Sequence, residues 1–522
     1  MIPLYFIASG NGKECQTTDS EVDHNLICGP VRKKGKVNPN QPAASTSNDL
    51  VNNLSGSAER ADNAIKIDEL PNEMLLEILK NLSKGDLSAS SLVNKHWRQL
   101  TDAPELKRKR KFIISAENLR GVYELTTIED LQYENVEIRN DFNKCGSVGH
   151  ELLFKIFVHL GGDVVALKLY RTSTLSTLNN LLPKLIELDL TEDFLGDNEL
   201  VDMNKFPKLK SLQLHGEFDT EMRSETLLSL TQTPGICLEK LSLIGKYFFD
   251  DSLNVLATHA SSLRWLKFGI HPGAYLLVHG LKCYQDAQEK NLMLQKTFTA
   301  FTQLEVLDIR DVRNAEVTRL ILNYLSEENP LHTIVLGAKI HFTLLCLMGQ
   351  KWSHTLKCLE LWGSAVSNCF FQQLNLMSGK LRRLVLNSAK AAPRYILHGI
   401  APETNGTLTE LKLLKSILTG ESFRNLVERL SNLTALNLKE LGSPITDQEM
   451  SYIFLHLKHL RHLFLKPCST KHDIKCCRSI SNLSNLQRLE TLQSCFCPVI
   501  DIQILNLKAK FTELRQLHLH AC

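Results

Sequence analysis

The feature that most constrains this chain of 522 residues is a leucine pattern that keeps returning. Clear copies of L-x-x-L-x-L begin at Leu185, Leu209, Leu238, Leu263, Leu304, Leu331, Leu356, Leu381, Leu408, Leu433, Leu460, Leu486 and Leu514. Less regular copies begin at Val164 and Tyr133. Successive clear starts lie 24 to 29 residues apart, except for one interval of 41 between Leu263 and Leu304. A period in this range, held in register for over three hundred residues, signals a stacked array. In an extended segment side chains alternate, so both leucines of L-x-L face the same way. The rest of each unit returns on the other side, and 252–263 and 446–460 carry helical apolar spacing there. One unit cannot bury its own leucines, whereas stacked neighbours can. The expectation is an α/β solenoid, with a curved sheet of parallel strands inside and helices outside.

The long interval reads as an enlarged repeat at 269–303, with a protruding loop or a longer helix. It is either functional or a plain elaboration of the convex side. No polar capping repeat follows the last copy, although open arrays usually need one. An exposed edge, a covering partner and a sequence that stops short all stay open.

Ahead of the array, residues 1–64 are rich in Asn, Ser, Gly, Asp and Lys, without a sustained apolar period, and read as a disordered tail. The basic run from Arg32 to Lys36 fits a solvated charge cluster better than an import signal, because short basic runs recur by chance. Residues 65–111 differ from both flanks. Pro71 suits the first position of a helix carrying Met74, Leu75, Ile78, Leu79 and Leu82. Ser83 and Asp86 form a start signal for a second helix over Leu87–Val93. Asn94 can cap a third, with Trp97 and Leu100. Three short helices with this much apolar surface call for a partner, either an external one or the array itself. The basic run Lys107–Lys111 reads as an exposed helix end and connector.

Leu70-Pro71-x-Glu73, the LLEIL run at 75–79, Asp86-Leu87 and Val93-x-Lys95-x-Trp97-Arg98 resemble an F-box. The resemblance covers about forty residues; Asn94 stands where that family usually has Cys, and Lys107 where an aromatic often closes the module. It implies docking on a Skp-type adaptor and, through it, on a cullin scaffold with a RING protein and a ubiquitin-conjugating enzyme. By the same resemblance Leu70, Pro71, Leu75, Ile78, Leu79, Leu82, Leu92, Val93 and Trp97 would meet the adaptor, and which of them serve the module's own core stays open. The array at 112–522 is similar to the leucine-rich repeats that often accompany F-boxes, including Ile445-Thr446-Asp447 where one cysteine-containing subtype carries I-T-D.

Composition narrows the function. A formal net charge of +3 gives no global case for nucleic acid or membrane binding. No apolar run approaches the ~20 residues of a membrane span, and fourteen scattered cysteines without a secretory leader read as reduced thiols of the cytosol or nucleus. There is no phosphate-binding loop, no H-E-x-x-H, no G-x-S-x-G and no C-x-x-C. The cluster Cys468, Cys476, Cys477, Cys495, Cys497, His472, His518 and His520 has poor spacing for a metal. We therefore expect no catalytic residue, no metal and no cofactor.

The residues between the leucines should line the concave face. The candidates are Trp265, Lys267, Asp308, Arg310, Glu360, Trp362, Arg383, Glu410, Lys412, His462, Phe464 and Arg488. Trp and Arg are enriched at binding hot spots, while each outward Trp taken singly can also pack on its ladder neighbours. Mixed charge argues against a nucleic-acid groove. The reading is a substrate receptor of a Skp–cullin–F-box ubiquitin ligase holding a protein substrate on the array. The alternative is a leucine-rich-repeat scaffold outside ubiquitination, its helices serving as a cap.

Overall fold

A computed structural model describes Ile67 and most of the chain from Leu70 to Ala521. Outside the described residues lie 1–66, 68–69, 83, 129–131, 140–145, 171–172, 192–202, 216–228, 233–234, 245–248, 270–283, 338–341, 363–378, 388–405, 416–419, 442–444, 446, 466–485, 487, 497–513, 515 and 522. The expected tail, the Arg32–Lys36 run and most of the C-terminal Cys/His cluster fall there. The chain divides into two compact units between Asp102 and Ala103.

The first unit holds three short helices, α1 (Asn72–Lys80), α2 (Lys84–Ser90) and α3 (Lys95–Thr101). Pro71 is the residue before α1 rather than its first, with extended backbone, and its carbonyl accepts from Leu75 N at 3.0 Å. Helix α2 begins three residues earlier than the sequence suggests and stops before Leu92 and Val93. Its last turn tightens: Leu92 N and Val93 N donate to the carbonyls of Ala89 and Ser90, three residues back. Asn94 caps α3, its Oδ1 accepting from Trp97 N at 2.8 Å. Helices α1 and α2 both pack on α3, and Leu75, Leu79, Trp97 and Leu100 form the interior.

The second unit is a sheet of sixteen described strands in strict sequence order, with every neighbouring pair parallel. The first are β1 (Lys111–Ile114), β2 (Asn135–Ile138), β3 (Ala166–Leu169), β4 (Glu187–Thr191) and β5 (Ser211–His215). Then come β6 (Lys240–Ile244), β7 (Trp265–Phe268), β8 (Val306–Ile309), β9 (Thr333–Leu336) and β10 (Cys358–Leu361). The last are β11 (Arg383–Asn387), β12 (Glu410–Leu414), β13 (Ala435–Glu440), β14 (His462–Leu465), β15 (Thr491–Phe496) and β16 (Gln516–Ala521). Strand β1 is one more than the leucine pattern announces, because KFII lacks the leading leucines.

The pattern also needs one correction. Leu463 of β14 pairs with Leu492 of β15, so the repeat unit there begins at Leu489, not Leu486. The buried trio is Leu489, Leu492 and, in the preceding turn, Leu486. Arg488 consequently sits exposed in a turn instead of on a strand.

The core is continuous through the array. Alternate strand residues such as Leu266 and Phe268 in β7, or Leu359 and Leu361 in β10, point into it with 0–1% exposure. Helices over 249–259, 284–299, 315–324, 342–352, 420–429 and 447–456 cover that side. The long interval contains the helix Tyr284–Thr299, and β7 pairs directly with β8, so no further strand is described between them.

Candidate docking module and open sheet face

In the helical module the nine candidate positions divide by exposure. Leu75 (1%), Leu79 (0%) and Trp97 (9%) belong to the module's interior. Pro71, Ile78, Leu92 and Val93 are exposed, and Leu70 and Leu82 are half-buried. Met74, four residues before Ile78 on the same side of α1, is 53% exposed. Leu92 and Val93 are 55% and 60% exposed in the turn after α2. A unit this small that leaves four large apolar side chains in water carries a surface suited to a partner.

On the sheet, the register arranges the outward residues in three rows. The first runs Lys240, Trp265, Val306, Thr333, Cys358, Arg383, Glu410 across β6–β12. The second runs Ser242, Lys267, Asp308, Val335, Glu360, Val385, Lys412. Beyond the strand ends, a third row places Arg310, Gly337 and Trp362 side by side, each following a residue paired through Leu336. His462 and Phe464 lie half-exposed on β14, further along the first two rows.

Six of the candidates join into one network. Arg310 Nε lies 3.0 Å from both carboxylate oxygens of Asp308, and its Nη2 lies 2.9 Å from Oδ2. Glu360 accepts from Trp362 Nε1 at 3.1 Å and faces Arg383 Nη2 at 3.2 Å and Arg310 Nη2 at 3.9 Å. Arg383 reaches on to Glu410 at 3.8 Å. The Arg310 guanidinium stacks 4.8 Å from the Trp362 ring centre. Asp308 and Glu360 are only 5% and 8% exposed, so their charges are spent inside the network. Burial opposes the Arg310 charge, yet the Asp308 hydrogen bonds and the Asp308 and Glu360 charges hold its pKa above the ordinary value. Burial, with the Glu360 charge second, pushes the Cys358 thiol up to about 12.

Two further candidates, Trp265 and Lys267 of β7, fall in a different neighbourhood beside β6. The sequence reading passed over its other members, Lys168, His215, Lys240 and Ser242. They occupy the same outward positions of L-x-x-L-x-L, or the residue just after it, in the copies before Leu263. Reading the outward positions of the copies before Leu263 as well would have found them. Among the described residues no group of His, Cys, Asp or Glu could hold a metal ion, and no helix is long and apolar enough to cross a membrane. The side chains of Cys495, His518 and His520 are not among those described.

Residues 67–112 match the F-box-like family model. No curated protein matches the chain. Among solved structures, the chain is similar to the TLR13–ssRNA13 complex at 16% identity and TM-score 0.33, covering 80% of this chain and 65% of that one. It thus spans slightly less than two thirds of the length of that structure. A leucine-rich-repeat protein of Leptospira interrogans matches at 15% identity and TM-score 0.34, covering 79% of this chain and 91% of the other. The Rad7 and Elc1 complex of yeast matches at 14% identity and TM-score 0.34, covering 72% and 94%. The chain thus carries an F-box-like module at 67–112, followed by a parallel sheet built on a leucine-rich repeat.

Proposed function

We propose that this chain is the substrate-recognition subunit of a Skp–cullin–F-box ubiquitin ligase. The observation that carries the reading is the F-box-like match over a unit whose α1 leaves Met74 and Ile78 in solvent, with Leu92 and Val93 exposed after α2. These four, with Pro71, Leu70 and Leu82, form the adaptor surface; Leu75, Leu79 and Trp97 support it from within. The adaptor links the chain to a cullin and its RING protein. The sheet face holds a protein substrate, and Trp265, Lys267, Arg310, Trp362, Arg383 and Phe464 are its contact candidates, with Asp308 and Glu360 positioning the arginines. The chain forms and breaks no bond itself. Its contribution is proximity, raising the effective concentration of substrate lysines near the conjugating enzyme.

Co-purification of the full chain with a Skp-type adaptor tests this. The wild type should retain the adaptor, and the double variant Ile78→Asp/Leu92→Asp should lose it with an unchanged circular dichroism spectrum. A wild type that captures no adaptor, or a variant that keeps it, would favour a repeat scaffold outside ubiquitination.

A further inference from the structure

On the open sheet face, β6 and β7 carry two lysines, Lys240 and Lys267, that have no ion-pair partner among the described residues. Lys240 Nζ sits 4.8 Å from the centre of the Trp265 ring, paired with it in register. Lys267 lies beside Ser242 in the next row. Ser242 is fully buried, its hydroxyl sharing a 2.7 Å hydrogen bond with His215 Nε2. Burial first, then the charges of Lys267 and Lys168, push the His215 pKa down to about 3. His215 is thus neutral at physiological pH.

The borders of this patch matter as much as its centre. On one side β4 carries Glu187 and Asp189, the latter 3.6 Å from Lys168. On the other, Asp308 is taken up by Arg310, and Asp311, its pKa raised by burial, feels the charges of both Lys267 and Arg310. Positive field is therefore confined to a strip about two strands wide, about 10 Å. A nucleic-acid backbone needs a continuous basic track, and carboxylates on both flanks would repel it. A short polypeptide bearing one or two anionic side chains fits, with the Trp265 ring offering apolar area beside the charge.

We infer that Lys240, Trp265 and Lys267, over a floor formed by the Ser242–His215 pair, bind an anionic side chain, a carboxylate or a phosphorylated hydroxyl, on an extended segment of a partner protein. This inference rests on the proposed role of the sheet face in holding a substrate and names the substrate's chemistry. Recognition is electrostatic and shallow, so it weakens as salt rises.

The test uses the full chain and three fluorescent probes: a short Glu-rich peptide, its Gln-substituted twin, and a phosphoserine version of the twin. The wild type should bind the Glu or the phosphoserine peptide, and whichever binds identifies the source of the anion. Lys240→Glu/Lys267→Glu should weaken binding about tenfold or more, while Lys205→Glu/Lys208→Glu, the same charge change on exposed turn residues before β5, should leave it within about twofold. Equal loss in both variants, binding of the Gln twin as tight as the others, or no binding at all would overturn the inference. Displacement by single-stranded RNA of equal charge at lower concentration would assign the strip to nucleic acid instead. Adaptor capture is measured on the same samples. Peptide binding with adaptor capture lost sinks the ligase reading alone, and the reverse sinks the anion site alone.

Discussion

The guanidinium of Arg310 lies 4.8 Å from the ring centre of Trp362, although β9 runs between their strands. The contact exists because the β9 residue in that row is Gly337. A Cβ built on Gly337 would come within 1.5 Å of the Arg310 carbonyl oxygen, a backbone atom that cannot swing aside. Gly337→Ala should therefore cost about 3 kcal/mol or more, through backbone displacement and lost stacking. Urea unfolding with Trp fluorescence reads both effects, and a variant as stable as wild type would show that β9 can shift without consequence.

Asn329 is completely buried and ties two repeats together. Its Oδ1 accepts from Leu304 N at 2.9 Å, and its Nδ2 donates to the carbonyls of Phe301 and Ser326 at 2.9 and 3.1 Å. Asn329→Ala removes all three bonds and strands buried backbone groups, for an expected loss of about 2–4 kcal/mol. Asn329→Asp should fare little better, since an ionised carboxylate cannot donate to two carbonyls. Thermal denaturation of both variants decides this.

Cys358 and Cys237 should differ in reactivity. With its pKa near 12, Cys358 is thiolate to only about one part in ten thousand at pH 8. Cys237 is exposed. Brief treatment of the folded chain with iodoacetamide should label Cys237 and spare Cys358 by peptide mass spectrometry. Labelling of both at similar rates would mean that the network around Glu360 opens readily.

His215 and Asp311 give the stability opposite pH dependences. The folded His215 pKa is about 3 against a reference of 6.5, so between those values the unfolded chain takes up the proton first. Its stabilising share is complete above pH 6.5 and lost as pH falls toward 3. His215→Gln should flatten the fall of Tm with acid across that window. Burial raises the Asp311 pKa above 3.8 despite the Lys267 charge, so its ionised form is held at a cost. Asp311→Asn should raise Tm at neutral pH, with the gain vanishing once pH drops below 3.8.

The solenoid was legible because its leucines repeat and strand side chains alternate, so spacing alone assigns the inward positions. Where the signal weakens, the reading slips. KFII carries no leading leucine, and the strand it forms went unannounced. Near Leu486 three leucines follow at intervals of three, so two registers fit the letters and only pairing with Leu463 selects the one starting at Leu489. The helical module shows the same limit. Its apolar residues are evident from sequence, but Leu75 and Ile78 look equivalent until packing on α3 buries one and leaves the other 39% exposed.

The sequence by itself determined the period, the α/β architecture and the F-box-like letters, because these rest on local spacing and side-chain alternation. Tertiary structure alone decided which outward charges are spent and which are available. Arg310, Arg383, Lys240 and Lys267 hold similar outward positions in their repeats. The two arginines share the buried Glu360, one from two strands away and the other from the neighbouring strand, while the two lysines face an indole and a serine. That difference arises between repeats some 25 to 41 residues apart, where only strand register sets who meets whom.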